Sequence, residues 1–167
     1  MKDCLNVCLI GTGRAGMIHA RSYMGNVVGA RLLAICDPCE ENLKKAQEEL
    51  HVAYTYADYQ VALQNKEIDA VIVVTPTGTH KEIVLAAASA GKHVFCEKPM
   101  AISAEECDEM IAACKQHHVK LQVGFMRRYD ESFQKAKEVI TSGRIGEVTM
   151  IKSVSYTHLR AHETSAH

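Results

Sequence analysis

The residues best suited to chemistry form a short glycine-rich run, Gly11-Thr12-Gly13-Arg14-Ala15-Gly16. Its spacing, G-x-G-x-x-G, is weak evidence alone, but here it follows an apolar strand and opens a helical segment. Gly11 permits a tight turn, Gly13 offers no side chain to block a pyrophosphate, and Gly16 lets helix and strand pack closely. A helix start in that position points free N–H groups and a positive dipole end at phosphates. Asp37 ends the next apolar strand, where a carboxylate can accept the adenosine ribose hydroxyls. An acid there also repels a 2′-phosphate, and no lysine or arginine follows until Lys44. The pattern therefore favours NAD over NADP. Asp37 is equally a good N-cap for the following helix, and the two roles are compatible.

Two further runs carry polar groups at strand ends, Thr75–His80 (TPTGTH) and Cys96–Met100 (CEKPM). A lysine between glutamate and proline is an unusual scaffold element. The glutamate can orient its ammonium, and such a lysine beside a bound dinucleotide can act on a hydroxyl proton. From spacing alone, a surface salt bridge explains Glu97 and Lys98 equally well. Cys36 and Cys39 form one C-x-x-C, but no second pair accompanies them. Seven irregularly spaced cysteines read as small buried or half-buried thiols in a reducing cytoplasm rather than a redox or zinc site.

The elements that must position these groups alternate strand and helix. Apolar runs at Leu5–Ile10, Ala30–Cys36, Val52–Tyr56, Ala70–Val74, His93–Cys96 and Leu121–Phe125 read as strands. Helical spacing follows the glycine loop, begins again at Asp37-Pro38 and runs to about Leu50, then returns over Tyr59–Gln64, Lys81–Ala90, Ala104–His117 (after Ser103 as N-cap) and Glu131–Thr141. Apolar strands alternating with helices make a doubly wound parallel α/β sheet of the Rossmann type, with strand order 3-2-1-4-5-6 expected from right-handed crossovers. A net charge of -1 leaves no electrostatic footprint for nucleic acid or an anionic membrane surface. No apolar run is long enough for a membrane span, and the first ten residues lack signal-peptide character. Cytoplasmic localisation is the expectation.

Taken together, GTGRAG with His19 three residues on, ICDP, DAVIVVTPTGTH, AGKHVFCEKPMA and QVGFMRRYD resemble the Gfo/Idh/MocA family of NAD(P)-dependent oxidoreductases. VGFMRRYD is most similar to its inositol 2-dehydrogenase branch. The resemblance implies that Gly11, Thr12, Gly13, Arg14, Ala15 and Gly16 hold the pyrophosphate and Asp37 the ribose. It implies that Thr75, Pro76 and His80 line the cofactor cleft, and that Glu97 and Lys98 sit beside the nicotinamide. Lys98 would contact the substrate hydroxyl and Arg127 a polyol hydroxyl, and the Lys98–Pro99 peptide is often cis in the family. The implied reaction is hydride transfer from a secondary alcohol of a polyol or sugar. A second domain would supply a D-x-x-x-H proton-transfer pair and most of a homo-oligomer interface. A non-catalytic dinucleotide-sensing regulator on the same fold is the alternative.

The chain departs from the family pattern in its last part. None of its six aspartates has histidine four residues later. The expected organisation is a dinucleotide-binding domain over 1–142 and the start of a second domain over 143–153. Residues 154–167 hold three of the nine histidines and show no apolar periodicity. With His158, His162 and His167 four and five apart, a helical metal site, a natural flexible arm and an artefact are the three alternatives. They resemble one reading frame of a transposase-type library adapter, so a non-native tail on a truncated, inactive cofactor half is the expectation.

Overall fold

The computed structural model describes residues 4–25 and 27–152. The expected non-native tail from Val154 lies outside them. The chain divides into two compact units, Met1–Phe125 and Met126–His167.

The first unit is built on six strands, β1 (Leu5–Ile10), β2 (Ala30–Cys36), β3 (Tyr54–Tyr56), β4 (Ala70–Val73), β5 (His93–Cys96) and β6 (Leu121–Val123). They form one sheet in the order β3-β2-β1-β4-β5-β6, with every pairing parallel. Five helices connect them: α1 (Arg14–Tyr23), α2 (Glu40–Leu50), α3 (Tyr59–Gln64), α4 (Thr77–Ser89) and α5 (Ala104–Gln116). The expected strand order and fold class are both met.

Strand side chains alternate between faces, and both faces are apolar. Val7 and Leu9 of β1 join Ile35, Ile72, Ala20 of α1, and Ala46 and Leu50 of α2 in one cluster. Cys8 and Ile10 point the other way. They pack with Val71, Val73 and Val94 against Ala62 and Leu63 of α3, Ile83, Val84 and Ala87 of α4, and Met110 and Cys114 of α5. Each fully buried aliphatic side chain contributes about 1.5–3 kcal/mol, so burial on both faces fixes the sheet between two helix layers. Burial also pushes the thiols of Cys36 and Cys96 up to about 12. These are packing groups, as the cysteine pattern suggested, but Cys39 of the C-x-x-C is exposed; all seven cysteines are unpaired.

Several boundaries differ from the sequence reading. α2 begins at Glu40 with Cys39 as N-cap and no side-chain cap. Asp37 is therefore not its N-cap; its carboxylate is turned back toward the glycine loop. α4 starts at Thr77, before the predicted Lys81, and takes in most of TPTGTH. Thr and Gly are poor helix formers, but local bonds offset this. Thr79 Oγ1 donates to the Pro76 carbonyl and lies 2.8 Å from Thr75 Oγ1. β3, β4 and β6 are each shorter than predicted. Gly91 stops α4 in the left-handed region (φ 71°), and Ser103 caps α5 by accepting the Glu106 N–H, both as expected.

In the second unit, a 3-10 turn over Met126–Arg128 precedes α6 (Glu131–Thr141). Asp130 caps α6 by accepting the Ser132 and Phe133 N–H groups. No described residue of α6 is buried. Among the described residues, no helix is long and apolar enough to cross a membrane.

Candidate functional site

The glycine loop leaves the carboxyl end of β1 at the centre of the sheet. Gly11 has φ 100° and lies so close to β4 that a Cβ would meet the Val74 carbonyl oxygen at 2.5 Å. Its N–H donates to the Cys36 carbonyl at 2.8 Å, tying the loop to β2. A Cβ on Gly16 would lie 1.9 Å from the Gly11 oxygen, so the first turn of α1 sits directly on the loop. Gly13 is different. It is the N-cap of α1, in extended conformation, and nothing lies within 4 Å of a Cβ placed there.

The first turn of α1 has no side-chain cap and no acidic residue. Its N–H groups therefore keep their donor capacity for something outside the chain. Arg14 and Ala15 are exposed beside them. A cleft of about 310 Å³ opens next to the loop, lined by Thr12, Gly13, Arg14, Met17, Asn42 and Lys45 among others.

Asp37 is 7% exposed. Its Oδ2 accepts the Thr12 N–H at 2.7 Å and the Thr12 hydroxyl at 2.9 Å. Its Oδ1 accepts the Cys39 N–H at 2.9 Å. The carboxylate thus braces the glycine loop from the end of β2. Two carboxylate oxygens offer about four acceptor positions, and three are used within the chain.

The ends of β4 and β5 are joined by His80, which is 1% exposed. Its Nε2 lies 2.8 Å from the Thr75 carbonyl and its Nδ1 3.0 Å from the Pro99 carbonyl. A buried imidazole thus bridges the two runs that the sequence separates. Pro76 is the N-cap of α4. The Lys98–Pro99 peptide is cis.

Glu97 does not orient the Lys98 ammonium, as the sequence suggested. One carboxylate oxygen accepts the Lys98 backbone N–H at 2.8 Å. The other accepts from His19 Nε2 of α1 at 2.8 Å. The Lys98 side chain is exposed, with no ion pair for its ammonium among the described residues. His19 is the group whose part in the site the sequence reading missed; the signal was its place one turn beyond the glycine loop. Arg127 belongs to the second unit. There its guanidinium lies 4.0 Å from Asp130 and 4.9 Å from the centre of the Phe133 ring.

Glycine loop, Asp37, Thr75, Pro76, His80, Glu97 and Lys98 therefore lie along the carboxyl ends of β1, β2, β4 and β5. The order reverses between β1 and β4, the crevice in which open α/β sheets bind ligands. The uncapped helix start and the open space at Gly13 fit a dinucleotide pyrophosphate.

Comparison with known proteins agrees with this geometry. Residues 5–125 match the GFO_IDH_MocA family, described as an oxidoreductase family with an NAD-binding Rossmann fold. The chain is 39% identical over 151 residues to a myo-inositol 2-dehydrogenase of Thermotoga maritima, covering 90% of this chain and 45% of the relative. It is 42% identical over 149 residues to an inositol 2-dehydrogenase of Azotobacter vinelandii, covering 88% and 44%. Among solved structures, it resembles scyllo-inositol dehydrogenase from Lactobacillus casei with bound NAD(H) and scyllo-inositol. That match has a TM-score of 0.83 at 36% identity, covering 87% of this chain and 43% of the other. The chain spans somewhat under half the length of the relatives it matches.

Proposed function

The chain belongs to the Gfo/Idh/MocA oxidoreductase family, with its NAD-binding Rossmann fold. On that premise we propose that it is the cofactor half of an enzyme oxidising a secondary alcohol of an inositol-like polyol or sugar. When bound, NAD supplies a hydride acceptor at its nicotinamide ring. The chain's own residues would do the rest on this side of the cleft. The free N–H groups at the start of α1 hold the pyrophosphate. Asp37 keeps one acceptor position for a ribose hydroxyl, with the Thr12 oxygen beside it for a second, and its charge opposes a 2′-phosphate. Thr75 and Pro76 wall the cleft, and the buried His80 holds the two strand ends behind them. Lys98 would donate to the substrate oxygen and stabilise it as its proton passes to an acceptor such as the D-x-x-x-H pair that the resemblance implies for the second domain. Arg127 binds another hydroxyl of the polyol.

The observation that carries this reading is Lys98. It lies on a loop held by His80 and Glu97, while its own ammonium has no ion pair among the described residues. The unpaired cysteines suit a reducing compartment such as the cytoplasm. Homo-oligomer formation through the remainder of the full-length protein belongs to the same proposal.

The test is steady-state kinetics on the full-length parent with a panel of inositols and sugars. Lys98→Ala lowers kcat by about two to four orders of magnitude, the scale of a proton-transfer group, with little change in NADH affinity. Arg127→Ala mainly raises KM. Near-normal kcat in Lys98→Ala would remove that residue from the mechanism, and a panel without any oxidised substrate would remove the reaction.

A further inference from the structure

We propose that His19 and Gly124 hold the Glu97 carboxylate away from the Lys98 ammonium, leaving that ammonium unneutralised for substrate. The inference rests on the placement of Lys98 in the reading above.

Glu97 follows Phe95 by two residues, so both face the α1 side of the sheet. An ionised carboxylate only accepts hydrogen bonds. His19 must therefore carry its proton on Nε2 to donate to Glu97 Oε1 across 2.8 Å. The His19 ring is also fixed edge-on against Phe95, with centroids 5.5 Å apart. Both partners are largely sheltered, with side chains 26% and 22% exposed. Their hydrogen bond therefore competes less with water than one on an open surface.

Gly124, just beyond β6, also borders the carboxylate. A Cβ there would stand 3.0 Å from the Phe95 ring and 3.2 Å from Glu97 Cδ and Oε1. Its φ lies outside the left-handed region, so space rather than backbone conformation calls for glycine. The Gly124 N–H donates to the Cys96 carbonyl at 2.8 Å, which locks Gly124 to β5.

A carboxylate one residue from an ammonium would ordinarily be free to pair with it. Here one oxygen is held by His19 and the other by the Lys98 main chain, which fixes where the carboxylate sits. Because His19 lies on the helix that begins at the glycine loop, the same contact links the pyrophosphate end of the site to the Lys98 loop.

The experiment measures acylation of Lys98 by an amine-reactive ester, read by peptide mass spectrometry on the 167-residue chain. An ammonium paired with a carboxylate is acylated more slowly than a free one. His19→Ala frees Glu97, and Lys98 labelling slows a few-fold, the scale of a partly exposed ion pair. His19→Gln can still donate an N–H to Oε1 and restores the rate. Gly124→Ala crowds Glu97 Oε1, the oxygen that His19 holds, weakens that bond and slows labelling even if His19→Ala fails to fold. An unchanged rate in folded His19→Ala or in Gly124→Ala overturns the proposal. A separate arm tests the placement of Lys98: NADH protects it from the label, whereas ADP-ribose, which lacks the nicotinamide, does not. Loss of that difference in the unsubstituted chain would overturn the placement itself, whatever His19 does.

Discussion

Asp37 shows how much one buried side chain decides. Its carboxylate satisfies two Thr12 groups and the Cys39 amide, so it shapes the glycine loop before any cofactor arrives. Replacing it strands buried donors, at a cost of about 1–3 kcal/mol. Asp37→Ala is therefore expected to lower the melting temperature and also to lower the ratio of NADH to NADPH affinity. Thermal melting and parallel fluorescence titrations check the two effects separately. A lower melting temperature with an unchanged ratio would make Asp37 a brace for the loop and nothing more.

At the scale of the element, the join of β1 and α1 contains three glycines with different reasons to be glycine. Gly11 and Gly16 are forced by contact, with a Cβ at 2.5 Å and 1.9 Å from backbone oxygens. Gly13 faces open space, and its conformation (φ -66°, ψ -175°) is one alanine adopts without strain. The two kinds of substitution should therefore part company. Gly13→Ala retains the melting temperature but loses NADH binding, because the added methyl occupies ground meant for the pyrophosphate. Gly16→Ala loses both, because α1 can no longer rest on the loop. Differential scanning fluorimetry with and without NADH reads both outcomes, and tight NADH binding by Gly13→Ala would mean the phosphates approach elsewhere.

At the scale of the molecule, the dinucleotide-binding fold closes within the first unit. The six-stranded sheet has both faces covered, and the family match ends at residue 125. The second unit is of another character. Phe133, Ile140, Ile145, Met150 and Ile151 are all exposed, and none of α6 is buried. With under half the length of its relatives, and no aspartate with histidine four residues later, the 167-residue chain is expected to bind NADH without oxidising polyols. NADH fluorescence titration and an absorbance assay with inositols check this, and sustained turnover by the chain would contradict it.

What the sequence determined by itself is whatever depends on local pattern. Short β-branched and apolar runs separated by helical spacing specify strands buried on both faces. That pattern, with right-handed crossovers, left only a few strand orders. Gly11, Gly13, Gly16 and Asp37 were legible because their spacing reflects a turn, a helix start and a strand end that are close in the chain. The tertiary structure decided the contacts between groups far apart in sequence. Asp37 read as a helix cap because its near neighbours favour one. Thr12, 25 residues away, takes its carboxylate instead. Glu97 read as the partner of the adjacent Lys98, yet its carboxylate turns to His19, 78 residues distant. His80 bridges Thr75 and Pro99 because β4 and β5 are neighbours in the sheet. Hydrogen bonds of this kind follow from where the sheet brings strand ends together, and no local spacing encodes that.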